Sequence, residues 1–145
     1  MSDGRHFLYL ASGIPAWMAY MFPVTVLVAG LWLWGMIATG RRLRERPVGL
    51  AVRCVLPSFL TIGILVVGVV FAYDGPPPWA DGHSPPAYPD YLINGLLLAH
   101  LPLGVLLAWR SGRQWPAVAG TSAAWAWASM CAGIEAGMSV AGEWL

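Results

Sequence analysis

Long apolar stretches separated by short polar segments make up most of this chain. A helix rises about 1.5 Å per residue, so about 20 apolar residues cross the roughly 30 Å hydrocarbon core of a bilayer. Four stretches have this character: 15–38, 55–73, 91–109 and 116–140. We predict a transmembrane helix over each of them, with a proline-rich loop at 74–90 between the second and the third.

Composition agrees with this pattern. The 145 residues are 58% hydrophobic and 10% charged, whereas an ordinary soluble domain has about 25% charged residues. Short connections make successive helices antiparallel neighbours. The sequence therefore predicts an all-α integral membrane protein of one domain, residues 1–145, with four transmembrane helices in an up-down antiparallel bundle.

The amino-terminal segment resembles a secretory signal, because Arg5 precedes the apolar run FLYLASG. The apolar stretch continues to Ala38, which is too long for the core of a signal peptide. We expect Gly13 and Pro15 to separate a short interfacial segment from the first membrane helix, and we expect no cleavage.

The arginines predict the orientation, because membrane proteins keep an excess of Lys and Arg in their cytoplasmic loops. Seven lie in or beside the first and third connections: Arg41, Arg42, Arg44, Arg46, Arg53, Arg110 and Arg113. We predict that the chain lies in the inner membrane of a prokaryote and that both of its termini lie outside the cytoplasm. Arg41, Arg42, Arg44 and Arg46 are expected to bind anionic lipid head groups, at about 1 kcal/mol each near the surface. Nucleic acid is not an expected partner.

Small residues recur at helical spacing along the fourth stretch. They are Ser122, Ala126, Ser129, Gly133 and Gly137. Helices associate in lipid through close backbone packing, which small side chains permit. This stripe is expected to face another helix, either in this chain or in a partner.

Glu135 is the carboxylate within the fourth stretch, and Asn94 and Tyr20 are expected at its depth. Burial in lipid disfavours a charged carboxylate, so a neutral Glu135 hydrogen-bonded to Asn94 or Tyr20 would join helices. The alternative is that Glu135 binds a proton or cation, since ionisable groups within a membrane often mark transport pathways.

His100 is expected near the bilayer midplane, at the level of Thr25, Thr61 and Ser129. A neutral imidazole there can be an axial ligand for haem or a chlorophyll-type pigment. With one membrane histidine, the chain would need a single-ligand pigment or a ligand from a partner. Four tryptophans are candidates to flank such a ring: Trp32, Trp34, Trp125 and Trp127. The structural alternative is a hydrogen bond from His100 to a Thr hydroxyl or to a carbonyl freed by Pro102.

The proline-rich loop carries Asp74, Asp81, His83 and Asp90 together with aromatic residues. Carboxylate and imidazole are zinc ligands, but no repeated ligand spacing indicates a metal site. We favour docking on a partner's extramembrane surface, anchored by Trp79, Tyr88 and Tyr91.

Common catalytic motifs such as GxSxG, HExxH and glycine-rich phosphate loops are missing from the sequence. We therefore expect a non-catalytic accessory subunit of a larger membrane complex, an energy-transducing one of the respiratory or photosynthetic kind, with other integral membrane subunits as partners. One alternative is a small homo-oligomeric proton-coupled transporter or channel that uses Glu135. The other is a membrane enzyme or metal site in the outer loop, which unchanged activity after His83→Ala and Asp81→Ala would reject.

Overall fold

The computed structural model describes residues 3–44, 47–73 and 87–141. These residues are 93% helical, and no strand occurs among them, which confirms the all-α class. The α-helices are α1 Asp3–Tyr20, α2 Phe22–Thr39, α3 Pro47–Val55, α4 Ser58–Val70, α5 Tyr88–Arg110 and α6 Trp115–Ala141. Short 3₁₀ turns at Gly40–Arg44 and Gly112–Gln114 follow α2 and precede α6.

Three helical stretches in the described part of the chain are long and apolar enough to cross a membrane. They are Phe22–Thr39, Pro47–Val70 and Tyr88–Arg110. Their outward faces expose large apolar side chains, including Leu27, Ile37, Leu98 and Leu101. A protein in water rarely exposes so much contiguous apolar surface. The structure is therefore compatible with an integral membrane protein.

Helix α6 is the centre of the structure, because α1, α2, α4 and α5 all pack against it. It is rich in Ala, Gly and Ser, and it is not among the three stretches above. Its small residues let neighbouring backbones approach closely. The buried apolar core lies where α1, α4, α5 and α6 meet, and it contains Leu10, Ile64, Leu65, Ile93, Ala132, Ala136 and Val140.

The amino-terminal half differs from the single membrane helix expected over 15–38. The structure has two helices there, α1 and α2, and they are separated at Met21. Pro23 explains the break, because proline lacks an N–H and its ring clashes with the preceding helical turn. The Thr25 hydroxyl donates to the carbonyl oxygen of Met18 at 2.7 Å, and the indole of Trp127 donates to Thr25 Oγ1 at 3.1 Å. Pro15, in contrast, lies within α1.

The second expected span, 55–73, is also interrupted and begins earlier. Helices α3 and α4 are separated at Leu56 and Pro57, and Pro57 is buried. Carbonyl oxygens freed at this kink receive side-chain donors: Trp125 Nε1 donates to Cys54 at 2.9 Å, and Ser58 Oγ donates to Val55 at 2.7 Å. Neighbouring side chains that satisfy the backbone in this way make a proline kink tolerable within a membrane.

Helix ends meet in two groups. At one end, Gln114 Nε2 donates to the carbonyl oxygen of Arg42 at 2.7 Å, which joins the two 3₁₀ turns. At the other end, the Tyr73 N–H donates to the carbonyl oxygen of Ser139 at 3.0 Å. The third and fourth expected ranges, 91–109 and 116–140, match α5 and α6 to within three residues at each end.

Helix α1 crosses α6 at a steep angle. His6 and Trp17 lie about 16 Å apart along α1, whereas their partners Ser139 and Glu135 lie about 6 Å apart along α6. Helix α2, in contrast, follows α6 in antiparallel register: Gly35 contacts Pro116, and Thr25 bonds to Trp127. The break at Met21 therefore redirects the chain from a path across α6, in α1, to a path along it, in α2.

Candidate functional site

A buried chain of hydrogen bonds joins three helices at His100. His100 Nε2 lies 2.9 Å from Ser129 Oγ, and Ser129 Oγ lies 2.6 Å from Thr61 Oγ1. His100 Nδ1 lies 3.1 Å from the carbonyl oxygen of Leu96. A carbonyl only accepts, so Nδ1 carries the proton, and in the neutral imidazole Nε2 accepts from Ser129. The chain then runs in one direction, from Thr61 through Ser129 to His100.

This arrangement bears on the axial-ligand hypothesis for His100. Both ring nitrogens already take part in hydrogen bonds within the chain, so a haem or pigment metal would have to displace Ser129 from Nε2. Trp125 and Trp127 donate toward Cys54 and Thr25, and Trp34 packs edge-to-face on Trp115 with ring centroids 6.1 Å apart. Trp32 lies on α2, in a groove with Thr25 and Trp127. The geometry favours the structural alternative, with Leu96 and Ser129 as the partners of His100 rather than a carbonyl freed by Pro102.

A groove lies beside His100, between α5 and α6. Its volume is about 360 Å³. Its walls are mainly apolar and its floor contains small residues; the lining includes His100, Leu101, Gly104, Val105, Trp115, Ala119, Ser122, Ala123 and Ala126. Among the described residues, the buried hydroxyl of Ser122 has no hydrogen-bond partner.

Glu135 contacts α1. Trp17 Nε1 donates to Glu135 Oε1 at 2.8 Å, and the Trp17 ring packs edge-to-face on Tyr20 with centroids 5.8 Å apart. A Cβ at Gly13 would overlap the Glu135 carboxyl. The expected partners are therefore replaced by Trp17: Tyr20 is exposed and reaches Glu135 only through Trp17, and Asn94 is exposed on α5. Depth alone did not reveal that Trp17 lies between them.

The small-residue stripe of α6 lies mainly against α5. Ser122 lies against Gly104, and Gly133 packs against Leu97 and Ile93. Ser129 bonds to His100, and Ala126 lines the groove. No described atom lies within 4 Å of the Cβ position of Gly137.

Helix α6 makes a second close contact, with α2, that the stripe of small residues did not predict. A Cβ at Gly35 would overlap the Pro116 carbonyl, and a Cβ at Gly120 would lie 2.9 Å from the Leu31 carbonyl oxygen. The Ala117 N–H donates to Thr39 Oγ1 at 3.1 Å, which satisfies a free donor at the start of α6. The signal was two glycines, at 35 and 120, in the first and fourth apolar stretches.

Three further predicted residues that the structure describes lie at helix ends or in a turn. Tyr88 packs edge-to-face on Phe71 at a centroid distance of 5.2 Å, and Tyr91 is 75% exposed. Arg42 is exposed in the first 3₁₀ turn. Several predicted residues or their side chains lie outside the described part: Arg41, Arg44, Arg46, Asp74, Trp79, Asp81 and His83. In the part that is described, no group of three or more His, Cys, Asp or Glu side chains could hold a metal ion.

Comparisons of the chain with protein-family models, curated proteins and solved structures find no match. Fold and site together define a class: an all-helical chain with three stretches long and apolar enough to span a membrane. Its polar groups are mostly paired between helices, through His100, Glu135, Trp125 and Trp127.

Proposed function

We propose that this chain is an integral protein of a prokaryotic inner membrane and that α6 is its fourth span. Helix α6 has 27 residues, or about 40 Å, which exceeds the hydrocarbon thickness. It packs along α2, α4 and α5, so three apolar spans shield its small and polar residues from lipid. A helix so enclosed needs less hydropathy of its own. The resulting arrangement is a four-helix bundle with α3 and α4 forming one kinked span.

Charge supports the orientation. Arg42, Arg53, Arg110 and Arg113 lie at or near the end where α2 and α5 finish and α6 begins. Arg53 Nη1 bonds to Ser111 Oγ at 3.4 Å across that end. An excess of arginine marks the cytoplasmic side. Both termini then lie outside the cytoplasm, and the arginine-rich connection faces the head groups of the inner leaflet.

Within this membrane, the chain acts as a non-catalytic accessory subunit of a larger complex. The observation that carries this proposal is a face of α5 turned away from α6, on which Tyr91, Asn94, Gly95 and Leu98 are all exposed. Asn94 lies about 9 Å along the helix from Tyr88, below the expected outer interface. In the described part of the chain its amide has no hydrogen-bond partner.

An amide facing hydrocarbon is costly, and asparagine side chains in membranes usually bond across helices. Gly95, next to it, has no described atom within 4 Å of its Cβ position. Gly95 leaves the backbone of α5 uncovered next to the Asn94 amide. A helix of another subunit can therefore approach α5 closely at this point and bond to the amide. Tyr91, at the outer end of this face, is 75% exposed and is one of the anchors that the sequence suggested for docking.

The energy-transducing role is the narrower form of the same proposal. A respiratory or photosynthetic complex would supply partner helices and coloured cofactors, which this chain need not bind. Glu135, bonded to Trp17 and packed on Gly13, acts here as a link between α1 and α6. The outer-loop metal hypothesis concerns residues outside the described part, and it stays a prediction.

The test is mild solubilisation from the native membrane with an affinity tag, followed by sizing, protein identification and visible absorbance. Wild type is compared with Gly95→Leu, which fills the proposed contact. Gly30→Leu on α2 is the matched control, because Gly30 is also an exposed helical glycine with no described atom within 4 Å of its Cβ position. The reconstituted chain alone is sized in parallel.

We expect stoichiometric integral membrane subunits to accompany the wild type and Gly30→Leu, and to be lost from Gly95→Leu while the variant remains folded. Absorbance from haem or pigment in the retained complex would support the energy-transducing form. A colourless homo-oligomer as the sole species, unaffected by Gly95→Leu, would contradict the proposal and favour the transporter alternative.

A further inference from the structure

The groove between α5 and α6 opens sideways, toward the space that lipid would occupy. Leu101 and Val105 on its rim are each 68% exposed. Its floor is formed by Gly104 and by alanines of α6, so a flat molecule can lie close to the backbone. It extends from His100, about 15 Å along α5 from Arg110, toward Trp115 at the start of α6. The groove therefore runs from the middle of the bundle to its arginine-rich end.

Ser122 is the polar group of this groove that lacks a partner. The residue is 8% exposed, and its hydroxyl forms no hydrogen bond with the described part of the chain. Thr121, its neighbour, donates to the carbonyl oxygen of Ala117 at 2.8 Å, which is the usual local solution in a helix. A buried hydroxyl without a partner carries a desolvation cost that a ligand acceptor would remove.

We propose that this groove binds the ring of an isoprenoid quinone dissolved in the membrane, with Ser122 turned to donate a hydrogen bond to a ring carbonyl. The depth of Ser122 decides between ligand classes. It lies about 10 Å along α6 from Trp115. Phospholipids hold their ester carbonyls at the interface, whereas a quinone carries its carbonyls on an apolar molecule that enters the hydrocarbon.

The two ends of the groove fit the same ligand. His100 bonds to Leu96 and Ser129 through its two ring nitrogens, so the inner end presents the edge of an imidazole that is already fixed in orientation. Trp115 at the other end offers an aromatic surface on which an apolar ring or an isoprenoid unit can pack. A cavity of about 360 Å³ lies in the usual size range of small-molecule sites.

This inference goes beyond the accessory role and does not rest on it, because every lining residue belongs to this chain. The groove is lined by α5 residues from His100 to Ala108, whereas Gly95 lies on an earlier turn of α5 and is not part of the lining. Failure of the Gly95→Leu experiment would therefore leave the quinone site untested, and its own experiment uses the isolated chain.

The full chain is reconstituted in nanodiscs and titrated with decylubiquinone, a benzoquinone with a short saturated tail, and tryptophan fluorescence is recorded. We expect saturable quenching, since Trp115 lines the groove. Ser122→Ala removes the donor without adding volume, and we expect its affinity to fall about three- to tenfold, as a single hydrogen bond requires. Decylbenzene, which has no carbonyl, should not displace the quinone.

Ala123→Leu fills the groove and should reduce affinity by at least tenfold. The matched control is Ala124→Leu on the side of α6 toward α2, which fills a separate groove lined by Thr25, Trp32 and Trp127. Thermal unfolding in the same nanodiscs shows whether each variant is folded. Equal affinity for wild type, Ser122→Ala and Ala123→Leu would overturn the site. Displacement by decylbenzene, or a loss with Ala123→Leu but none with Ser122→Ala, would assign the groove to lipid chains and overturn the quinone proposal.

Discussion

The indole N–H of Trp17 donates to Oε1 of Glu135 over 2.8 Å and so joins α1 to the last turns of α6. Tyr20 supports the indole from one side. The Glu135 carboxyl lies directly over the backbone of Gly13. It fits there because glycine has no side chain to occupy that space. The carboxyl therefore lies in a notch of α1, where Trp17 donates a hydrogen bond to it and Gly13 leaves space for it.

Trp17→Phe removes this donor and keeps the ring. We expect a loss of about 1 to 3 kcal/mol in the free energy of unfolding, because the carboxyl is left partly buried and without its partner. Denaturant unfolding in detergent measures the loss. Trp109→Phe is the control, since Trp109 is 83% exposed, and it should change stability by less than about 0.5 kcal/mol. Equal effects of the two substitutions would contradict a specific role for the Trp17 bond.

Gly13→Ala tests the notch from the other side. The added methyl overlaps the carboxyl of Glu135, which must move away from Trp17; because the end of this side chain is flexible, we expect a loss of about 0.5 to 1.5 kcal/mol, close to that of one hydrogen bond. Glu135→Ala should make Gly13→Ala nearly neutral, because the overlapping group is gone. Unfolding free energies of the two single variants and the double variant give the coupling directly. Additive losses would mean that Gly13 matters for a reason other than Glu135.

Trp125 and Trp127 form a related pair, since each places an indole N–H beside a different proline break. Trp127 reaches Thr25 near Pro23, and Trp125 reaches Cys54 near Pro57. Trp125→Phe should cost about 1 to 3 kcal/mol, because it leaves the freed Cys54 carbonyl without a donor in an apolar surrounding. Unfolding in detergent measures this cost as well. Trp34→Phe is a suitable control, because that side chain is 53% exposed and packs edge-to-face on Trp115. An equal loss there would argue against the kink contact.

The apolar runs were sufficient to predict three spans, since length and hydropathy are properties of the sequence itself. The breaks near Pro23 and Pro57 were harder to predict from the sequence. Whether a proline ends a helix or only kinks it depends on which side chains can satisfy the freed carbonyl groups. Two indoles bond at these breaks from far along the chain: Trp127 lies 102 residues from Thr25, and Trp125 lies 71 residues from Cys54. Their orientation depends on helix rotation, which no local pattern encodes.

Depth along the helices was more informative than hydropathy for the polar groups. Counting residues from the helix ends set His100, Thr61 and Ser129 at one level, and the structure joins these three side chains. The same count set Glu135 beside Tyr20 and Asn94, yet the carboxyl bonds to Trp17. Depth restricts which residues can meet, but rotation about the helix axis decides which of them do.

Glu135→Gln separates packing from transport. The amide keeps an oxygen that can accept from Trp17, so we expect wild-type stability within about 1 kcal/mol and retention of partner subunits. Thermal unfolding and sizing of the solubilised complex measure both. If the chain instead moves protons or cations through Glu135, reconstituted liposomes would show ion movement for the wild type and none for Glu135→Gln. That result, with assembly intact, would favour the transporter alternative over the accessory role.

Ser129 holds the middle position between Thr61 and His100, so its removal affects both neighbours. Ser129→Ala leaves Nε2 of His100 and the hydroxyl of Thr61 buried without a partner, and we expect a loss of about 2 to 4 kcal/mol. Thr61→Val should cost less, because Ser129 then still donates to His100. Nitrogen NMR of labelled histidine provides an independent measurement: the wild type should show the tautomer protonated at Nδ1, since the Leu96 carbonyl only accepts. A proton on Nε2 at neutral pH would contradict the direction of this hydrogen-bond chain, because Ser129 would then donate to Thr61 instead of to His100. Equal losses of stability for the two variants would contradict it as well.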